Sequence, residues 1–441
     1  MTNPALALAE KYFDVSHGEL LIGGVAASKL ASKYGTPLFV YSRRVLDRKL
    51  DALRGALPPR FKVFYSVKAN PNLAILEHFV ARGCGLEVAS AGEFQLALQA
   101  GCEPHNILFA GPGKTEAELA HVLSLGIGEI HLESLTEIKR ICEINRRLNL
   151  RANVAIRLNP ASSAEGGAMR MGGRSTPFGV DEENLDEFVD AVLAEASLDF
   201  RGIHLFAGTQ ILDASILLGQ FRHAIEIARS LSKRLGRPLN TLDFGGGLGI
   251  PYFMHEKELD LEQLHTGLAT FFLEIEADPA FAGTQFVVEP GRFLVGEAGI
   301  YLARVIDIKF SRGKKFLVLD GGMNHHLAAS GNLGQTIKRN YPVALVSKLD
   351  RRGVEDVDVV GPLCTPLDTV ARNTKLPCAE IGDLFGIFQS GAYGRSASPL
   401  GFLSHPAPPE VLVDVDRHEL IQERGKTSNA TPLPWSGPTG T

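Results

Sequence analysis

Three places along this chain gather residues whose types could act on a carbonyl or an anion. Lys68 ends the apolar run KVFYSV (62–67) inside FYSVKANPN. A lysine closing a buried strand can project into a dry pocket, where loss of solvent lowers its pKa and leaves a nucleophilic amine. The same residue would serve equally as a surface lysine at a strand end. Gly245, Gly246 and Gly247 stand together in DFGGGLGI. Bare glycines let an anion approach backbone N–H groups closely, ideally with a helix N-terminus behind, although tight strand-to-loop turns use the same residues. In EPGR, Glu289 and Arg292 place a carboxylate and a guanidinium three residues apart around Gly291. Alone, that pair could be an exposed ion pair contributing little.

The elements that must carry these residues alternate. After LFVY (38–41) and a charged helix come the β-rich runs KVFYSV (62–67), CGLEVAS (84–90), NILFAG (106–111), EIHLES (129–134), NVAIRLN (153–159), GIHLFAG (202–208), TLDFGGG (241–247) and QFVVEPG (285–291). Between them lie amphipathic stretches such as LTEIKRICEINRRLN and RHAIEIARSLSKRL. Strand–helix alternation at this spacing means parallel βαβ units. Eight strands predict a closed (β/α)₈ TIM barrel, and an open doubly wound sheet fits the same pattern. Barrel enzymes place their chemistry at the C-terminal strand ends, where all three groups fall. On the first, seventh and eighth strands they become neighbours once the barrel closes. Pyridoxal 5'-phosphate (PLP) requires such a set: an amine for its aldehyde, a cradle for its phosphate, and a carboxylate to keep its pyridine nitrogen protonated.

The bulk numbers agree with a cofactor enzyme and exclude other classes. The 441 residues are 45% hydrophobic and 22% charged, enough to bury a large core, and the net charge of -5 gives no electrostatic basis for nucleic-acid binding. MTNPALALAEKYF carries no basic region followed by a long apolar run, and no stretch reaches a membrane span. The five cysteines (Cys84, Cys102, Cys142, Cys364, Cys378) are scattered, odd in number and without a CxxC pair, so neither a disulfide framework nor structural zinc is expected. A reducing, cytoplasmic home follows. From about residue 292 the rhythm becomes β-rich, with EVLVDVD (410–416) as the expected last strand. The expected division is 1–37, with ELLIGG (19–24), joining a β domain; 38–291 as the barrel; 292–423 as the β domain; and a disordered tail, 424–441, rich in Gly, Pro, Ser and Thr.

At this point the motifs resemble a known family. YSVKANPN (65–72), GLEVASAGE (85–93), GIHLFAGTQ (202–210), FGGGLGI (244–250), EPGR (289–292), DGGMN (320–324), GPLC followed by Asp368, and SGAYG (390–394) are together similar to the fold-type III PLP decarboxylases, the group of diaminopimelate, ornithine and arginine decarboxylases. The resemblance runs over nearly the whole chain. It implies that Lys68 carries PLP as a Schiff base and that Glu289 pairs with the pyridine nitrogen. Gly245 to Gly247 and Arg292 would hold the phosphate with Tyr393 alongside, and Glu87 and Arg157 would line the barrel wall. It further implies a homodimer with a composite active site, in which Cys364, the expected proton donor, and Asp368 are donated across the interface.

Departures from the family pattern bear on the substrate. Phe206 stands where most of the family has a second histidine stacked on the cofactor ring, and Thr209 where serine is usual. The arginine that grips the distal carboxylate in diaminopimelate enzymes has Ala328 as its counterpart, and the glutamate after their cysteine is Thr365. A site without those partners should lose its preference for the zwitterionic far end. The strings HLFAGTQ, GMNHHLAASGN, RNYPV, GPLCTPLD and FLSHPAP instead resemble a branch acting on carrier-linked amino acids, including exosortase-A-associated decarboxylases and the glutamyl-acyl-carrier-protein decarboxylase of butirosin biosynthesis. The expected activity is therefore PLP-dependent α-decarboxylation of an L- or D-amino acid or amino-acyl group, with an acyl carrier protein as a partner and Arg339 and Tyr341 as substrate or carrier contacts. Diaminopimelate decarboxylation, amino-acid racemisation and a non-catalytic PLP-binding regulator are the alternatives. His325 and His326 are adjacent, but PLP chemistry needs no metal.

Overall fold

The computed structural model describes residues 4–161, 169–170 in backbone, 175–206, 208–335, 337–351 and 355–426. Contacts divide the chain into two units, one formed by residues 42–299 and the other by residues 1–41 together with 300–441.

The first unit is a closed barrel of eight parallel strands: β1 (Phe61–Ser66), β2 (Gly85–Val88), β3 (Ile107–Phe109), β4 (Glu129–Leu132), β5 (Ala152–Asn159), β6 (Leu198–Leu205), β7 (Thr241–Asp243) and β8 (Gln285–Val288). β8 pairs with β1 in register Phe286 to Phe61, which closes the ring and rules out the open sheet. The strands are almost entirely buried because helices cover one face and side chains fill the other. Residue choice starts the helices where the strands stop. Ser90 caps Ala91–Gln99, Thr115 and Glu118 form a reciprocal capping box on Glu116–Ser124, and Ser134 caps Leu135–Leu148. A cluster of Phe61, Phe221, Phe244, Phe272 and Phe286 fixes the helices Ala214–Leu235 and Leu261–Glu276 against β1, β7 and β8.

After β8 the chain does not enter a strand at residue 292, as the apolar run FLVGEAGIYL suggests. Arg292–Val295 and Gly296–Ala298 are helical turns of the barrel unit. Glu297 meets the buried amine of Lys49, which also lies 3.8 Å over the Phe293 ring. This ion pair holds the segment to helix Arg43–Ala56.

The second unit is a mixed sheet in the order Thr369–Leu376, Glu355–Val360, Lys314–Leu319, Gly299–Ser311, Leu38–Ser42, Glu410–Asp414, Arg417–Gln422, with Val343–Leu345 and Leu384–Ile387 paired off this path. LFVY therefore pairs here and not in the barrel; all of Leu38–Ser42 is buried between its two neighbours. ELLI forms a small antiparallel sheet with Asp14–Ser16 and Val25–Ala26. Glu410–Asp414 is followed by one more strand, Arg417–Gln422, whose mostly polar alternation hid it in the sequence. Of the expected tail, Arg424 donates to the Tyr34 and Pro37 carbonyls, and residues 427–441 lie outside the described residues.

His325 and His326 are buried in this unit. His325 Nδ1 lies 3.2 Å from the Tyr301 hydroxyl and His326 Nε2 lies 2.9 Å from Ser390 Oγ, so the two rings serve separate partners. Burial pushes His325 down to about 4 and His326 down to about 3. Depressed folded-state values mean that stability is fully present above the ordinary imidazole value and drains as protons bind the unfolded chain. Acidification from pH 6.5 to 5 should cost about 1 kcal/mol per pH unit per ring. Thermal unfolding followed across that range should show the loss, and His326→Gln should flatten it.

Candidate active site

Lys68 sits two residues past the end of β1, in the single 3₁₀ turn Val67–Ala69. Its Nζ lies 3.0 and 2.9 Å from the two oxygens of Glu87 on β2. Parallel pairing sets Ser66 beside Glu87, whose carboxylate also takes the Ser66 hydroxyl. The turn is locked from beyond by Tyr65 Oη donating to the Asn70 carbonyl and by Asn72 capping helix Leu73–Ala81. The expectation of a dry pocket does not hold for the amine itself. The Lys68 side chain is 47% exposed and ion-paired, while the dry partner is Glu87, at 1%.

The interior of the barrel behind this lysine is polar where branched aliphatic layers are the norm. Residues two apart on a strand share a face, so Glu129 and His131 on β4, and Thr241 and Asp243 on β7, point inward in two tiers. In the lower tier the Thr241 hydroxyl donates to Glu129 at 2.9 Å. In the upper tier are His131, His204, Asp243 and Glu289, all buried, with polar atoms within 4.8 Å of one another. His204 Nε2 lies 3.3 Å from Glu289 Oε2, and His131 Nδ1 lies 4.0 Å from Oε1. Burial pushes the Glu289 carboxyl up, but His204, His131 and Lys68 together outweigh it and hold the group below the usual carboxylate range. Burial pushes His204 down. Glu289 Oε1 is buried and has no hydrogen-bond partner among the described residues. A buried orphan oxygen on a charged carboxylate costs several kcal/mol unless a donor arrives, and a protonated ring nitrogen is such a donor.

The two anion-binding motifs are stacked backbone on backbone. The Glu289 N–H donates to the Gly245 carbonyl at 2.8 Å, and a Cβ on Gly246 would lie 2.6 Å from the Glu289 carbonyl oxygen. Gly245 and Gly247 take φ of +66° and +102°, which L side chains avoid. Gly245 differs from its expected part, because its N–H already donates to Asp243 at 2.7 Å. The N–H groups of Gly246 and Gly247 meet no acceptor among the described residues and are the pair left for a ligand oxygen. The next helix along the chain begins only at Leu261, so the glycine turn does not itself lead into a helix. Arg292 is steered by Tyr252, whose hydroxyl lies 3.1 Å from Nη1. At Gly291 a Cβ would come within 2.9 Å of the Ala69 Cβ, so this glycine admits the lysine turn against EPGR.

Arg157 on β5 is held by Glu133, which accepts from Arg157 Nη1 at 2.8 Å and from the N–H groups of Gly111 and Gly179. Burial pushes Glu133 up, but the guanidinium and the Gly179 N–H bring it below its ordinary value. The Arg157 guanidinium lies 5.7 Å from the centre of the Phe206 ring and 5.3 Å from that of Phe178. Phe206, at the end of β6, therefore presents its face next to a cation. Thr209 is half-buried in the short strand Gly208–Thr209, just beyond it. A half-exposed amine, a glycine turn with two N–H groups open among the described residues, a guanidinium three residues past Glu289, and an unmatched buried carboxylate oxygen together fit an aromatic aldehyde with an anionic tail and a basic ring nitrogen.

Residues 43–296 match the family described as pyridoxal-dependent decarboxylase, pyridoxal binding domain. The chain belongs to the pyridoxal-dependent decarboxylases. It is 38% identical over 399 residues to the L-glutamyl-[BtrI acyl-carrier protein] decarboxylase of Niallia circulans, covering 90% of this chain and 93% of that one. It is 32% identical over 418 residues to the diaminopimelate decarboxylase of Zymomonas mobilis, covering 93% and 96%. The crystal structure of diaminopimelate decarboxylase from M. jannaschii with L-lysine superposes with a TM-score of 0.87 at 28% identity, over 96% and 97% of the two chains. A barrel followed by a mixed sheet is thus the architecture of this decarboxylase family, and its cofactor is PLP.

The remaining expected residues lie in the sheet unit. Cys364 is exposed in the loop after Glu355–Val360. Asp368, expected to contact substrate, is 2% exposed; it accepts the Met323 N–H at 2.7 Å and the Leu363 N–H at 2.9 Å. Its carboxylate shapes the GPLC loop, because both oxygens already have backbone donors. Tyr341 is buried edge-on against His326, 5.6 Å between ring centres, which suits packing and not substrate contact. Arg339 is exposed, and Tyr393 is half-buried with φ of +53°. A side chain held in that region signals strain that a functional loop retains. The decarboxylase fold leaves no room at Gly246, so Gly246→Ala should weaken PLP affinity by about tenfold to a hundredfold, read from the concentration of PLP needed to develop the visible band.

Proposed function

We propose that this pyridoxal-dependent decarboxylase removes the α-carboxylate of an amino-acyl group tethered to an acyl carrier protein, acting as a cytoplasmic homodimer. The observation that carries the reading is Ala328, a 5% exposed methyl where the diaminopimelate enzymes have the arginine that clamps a distal carboxylate. A tethered acyl group has no free carboxylate at that end and needs no such clamp. The Niallia circulans relative is named for a carrier-bound glutamyl substrate and supports the same choice.

PLP, when bound, supplies the electron sink for the pair left behind as CO₂ departs. The chain does the rest. Lys68 Nζ is the amine for the aldehyde, and Glu87, in contact with it and with Ser66, is placed to hold the proton that Nζ must shed before it attacks. Glu289 would keep the ring nitrogen of that cofactor protonated, its charge acting from a dry, low-dielectric site. Gly246, Gly247 and Arg292 would hold the phosphate, Phe206 would offer its face to the ring, and Arg157, Thr209 and Glu133 would line that wall. Cys364, with Tyr393 near the phosphate, completes the site across the dimer, and the Cys364 thiol returns a proton to Cα. Arg339 is assigned to carrier contact.

The alternative is diaminopimelate decarboxylation, favoured by the likeness to the M. jannaschii structure. Purified protein should release CO₂ from glutamyl-loaded carrier and ignore free meso-diaminopimelate; rapid turnover of the free compound would sink the tethered-substrate reading. Cys364→Ala should retain PLP yet slow product formation by about a hundredfold or more, measured by product mass.

A further inference from the structure

The floor beneath the barrel mouth holds more acid than it can leave charged. Asp243 is fully buried; its Oδ1 accepts the Gly245 N–H at 2.7 Å, while Oδ2 has no hydrogen-bond partner among the described residues. Glu289 Oε1 is buried in the same cluster and is likewise unmatched. Two acceptor-only oxygens in a dry site call for a donor; among the described residues the nearest candidate is the His131 ring, 3.9 Å from Asp243 Oδ2 and 4.0 Å from Glu289 Oε1, beyond hydrogen-bond reach of either.

We propose that Asp243 and Glu289 hold one proton between them, so that the floor carries a single negative charge and presents it from Glu289. The surrounding groups decide where the charge rests. From β4 come Glu129 and His131, from β5 Arg157, from β6 His204, and from the turn after β1 Lys68. His204 and His131 lie 3.3 and 4.0 Å from Glu289, and Lys68 adds its charge on the same side. Asp243 has one backbone N–H and His131 at 3.9 Å, with Glu129 as a second acid nearby. Burial, then the charge of Glu289, pushes the Asp243 carboxyl well above its ordinary range. Asp243 is then a positioning residue. As the neutral acid it donates to Glu289, fixes its rotamer, and at the same time holds Gly245 at the head of the glycine turn. The consequence for PLP rests on the cofactor reading, whereas the shared proton belongs to the chain with or without it.

Asp243→Asn separates the possibilities, since an amide reproduces a neutral donor but carries no titratable proton. Infrared spectra of the full-length protein at neutral pH, with and without PLP, should show a deuterium-sensitive C=O stretch of a buried protonated carboxyl in the wild type and lose it in D243N. The same band should vanish in Glu289→Gln, where the new amide donates to Asp243 and lets it ionise. A wild-type spectrum without that band, or a band untouched in D243N, would overturn the shared proton. If D243N fails to fold, the wild-type deuterium shift and E289Q decide alone. The infrared result is independent of whether any substrate is decarboxylated, so failure here and failure of the functional assignment are told apart.

Discussion

A carboxylate kept charged inside a dry barrel is the constraint around which the catalytic unit is arranged. Glu289 is 5% exposed and cannot be left ionised there without compensation. Compensation comes from His131 on β4, His204 on β6 and Lys68 in the turn after β1, which a closed ring brings together around Glu289. His204 and Asp243 are held side by side by the pairing of β6 with β7, and Glu289 follows β8, the next strand along. The electrostatics of the site and the closure of the sheet are thus one problem. Slipping any of these strands by a single residue would turn its inward acid or imidazole outward.

Much of this was legible in the chain. The alternation of strand and helix, with Lys68, the glycine triplet and EPGR at strand ends, requires a parallel sheet, and the count of eight favours a ring. What the residues by themselves leave open is whether the sheet closes. That is settled by a long-range pairing, Phe61 with Phe286, of which local periodicity carries no trace. Leu38–Ser42 was misplaced for a similar reason. Five apolar or small residues read the same beside a barrel strand as between two sheet strands, and its real partners begin more than two hundred residues away.

The candidate site was legible where a motif names its own residue and opaque where the role depends on a neighbour. His131, Asp243, Glu133 and Tyr252 act through contacts with other strands or loops and so escaped notice. A polar residue at an inward position of an otherwise apolar strand, as in EIHL or TLD, was the available signal. Conversely, the family resemblance assigns Asp368 to the composite site and the RNYPV string offers Tyr341 as a substrate or carrier contact, and in the folded chain both are buried with partners of their own. Lys68 was expected to be stripped of water; in the folded chain it is Glu87 that is desolvated, and the amine meets it from the solvent side.

The order of the sheet unit has a bearing on how the polypeptide can be made. Its fully enclosed strand, Leu38–Ser42, leaves the ribosome early, but both of its neighbours lie beyond residue 298. All the barrel strands are synthesised in between. For most of translation, then, a nascent chain carries an apolar strand with both edges bare, the kind of segment that invites aggregation or chaperone capture. The barrel can complete itself while that wait lasts, whereas the sheet unit can close only when the last third of the chain has emerged.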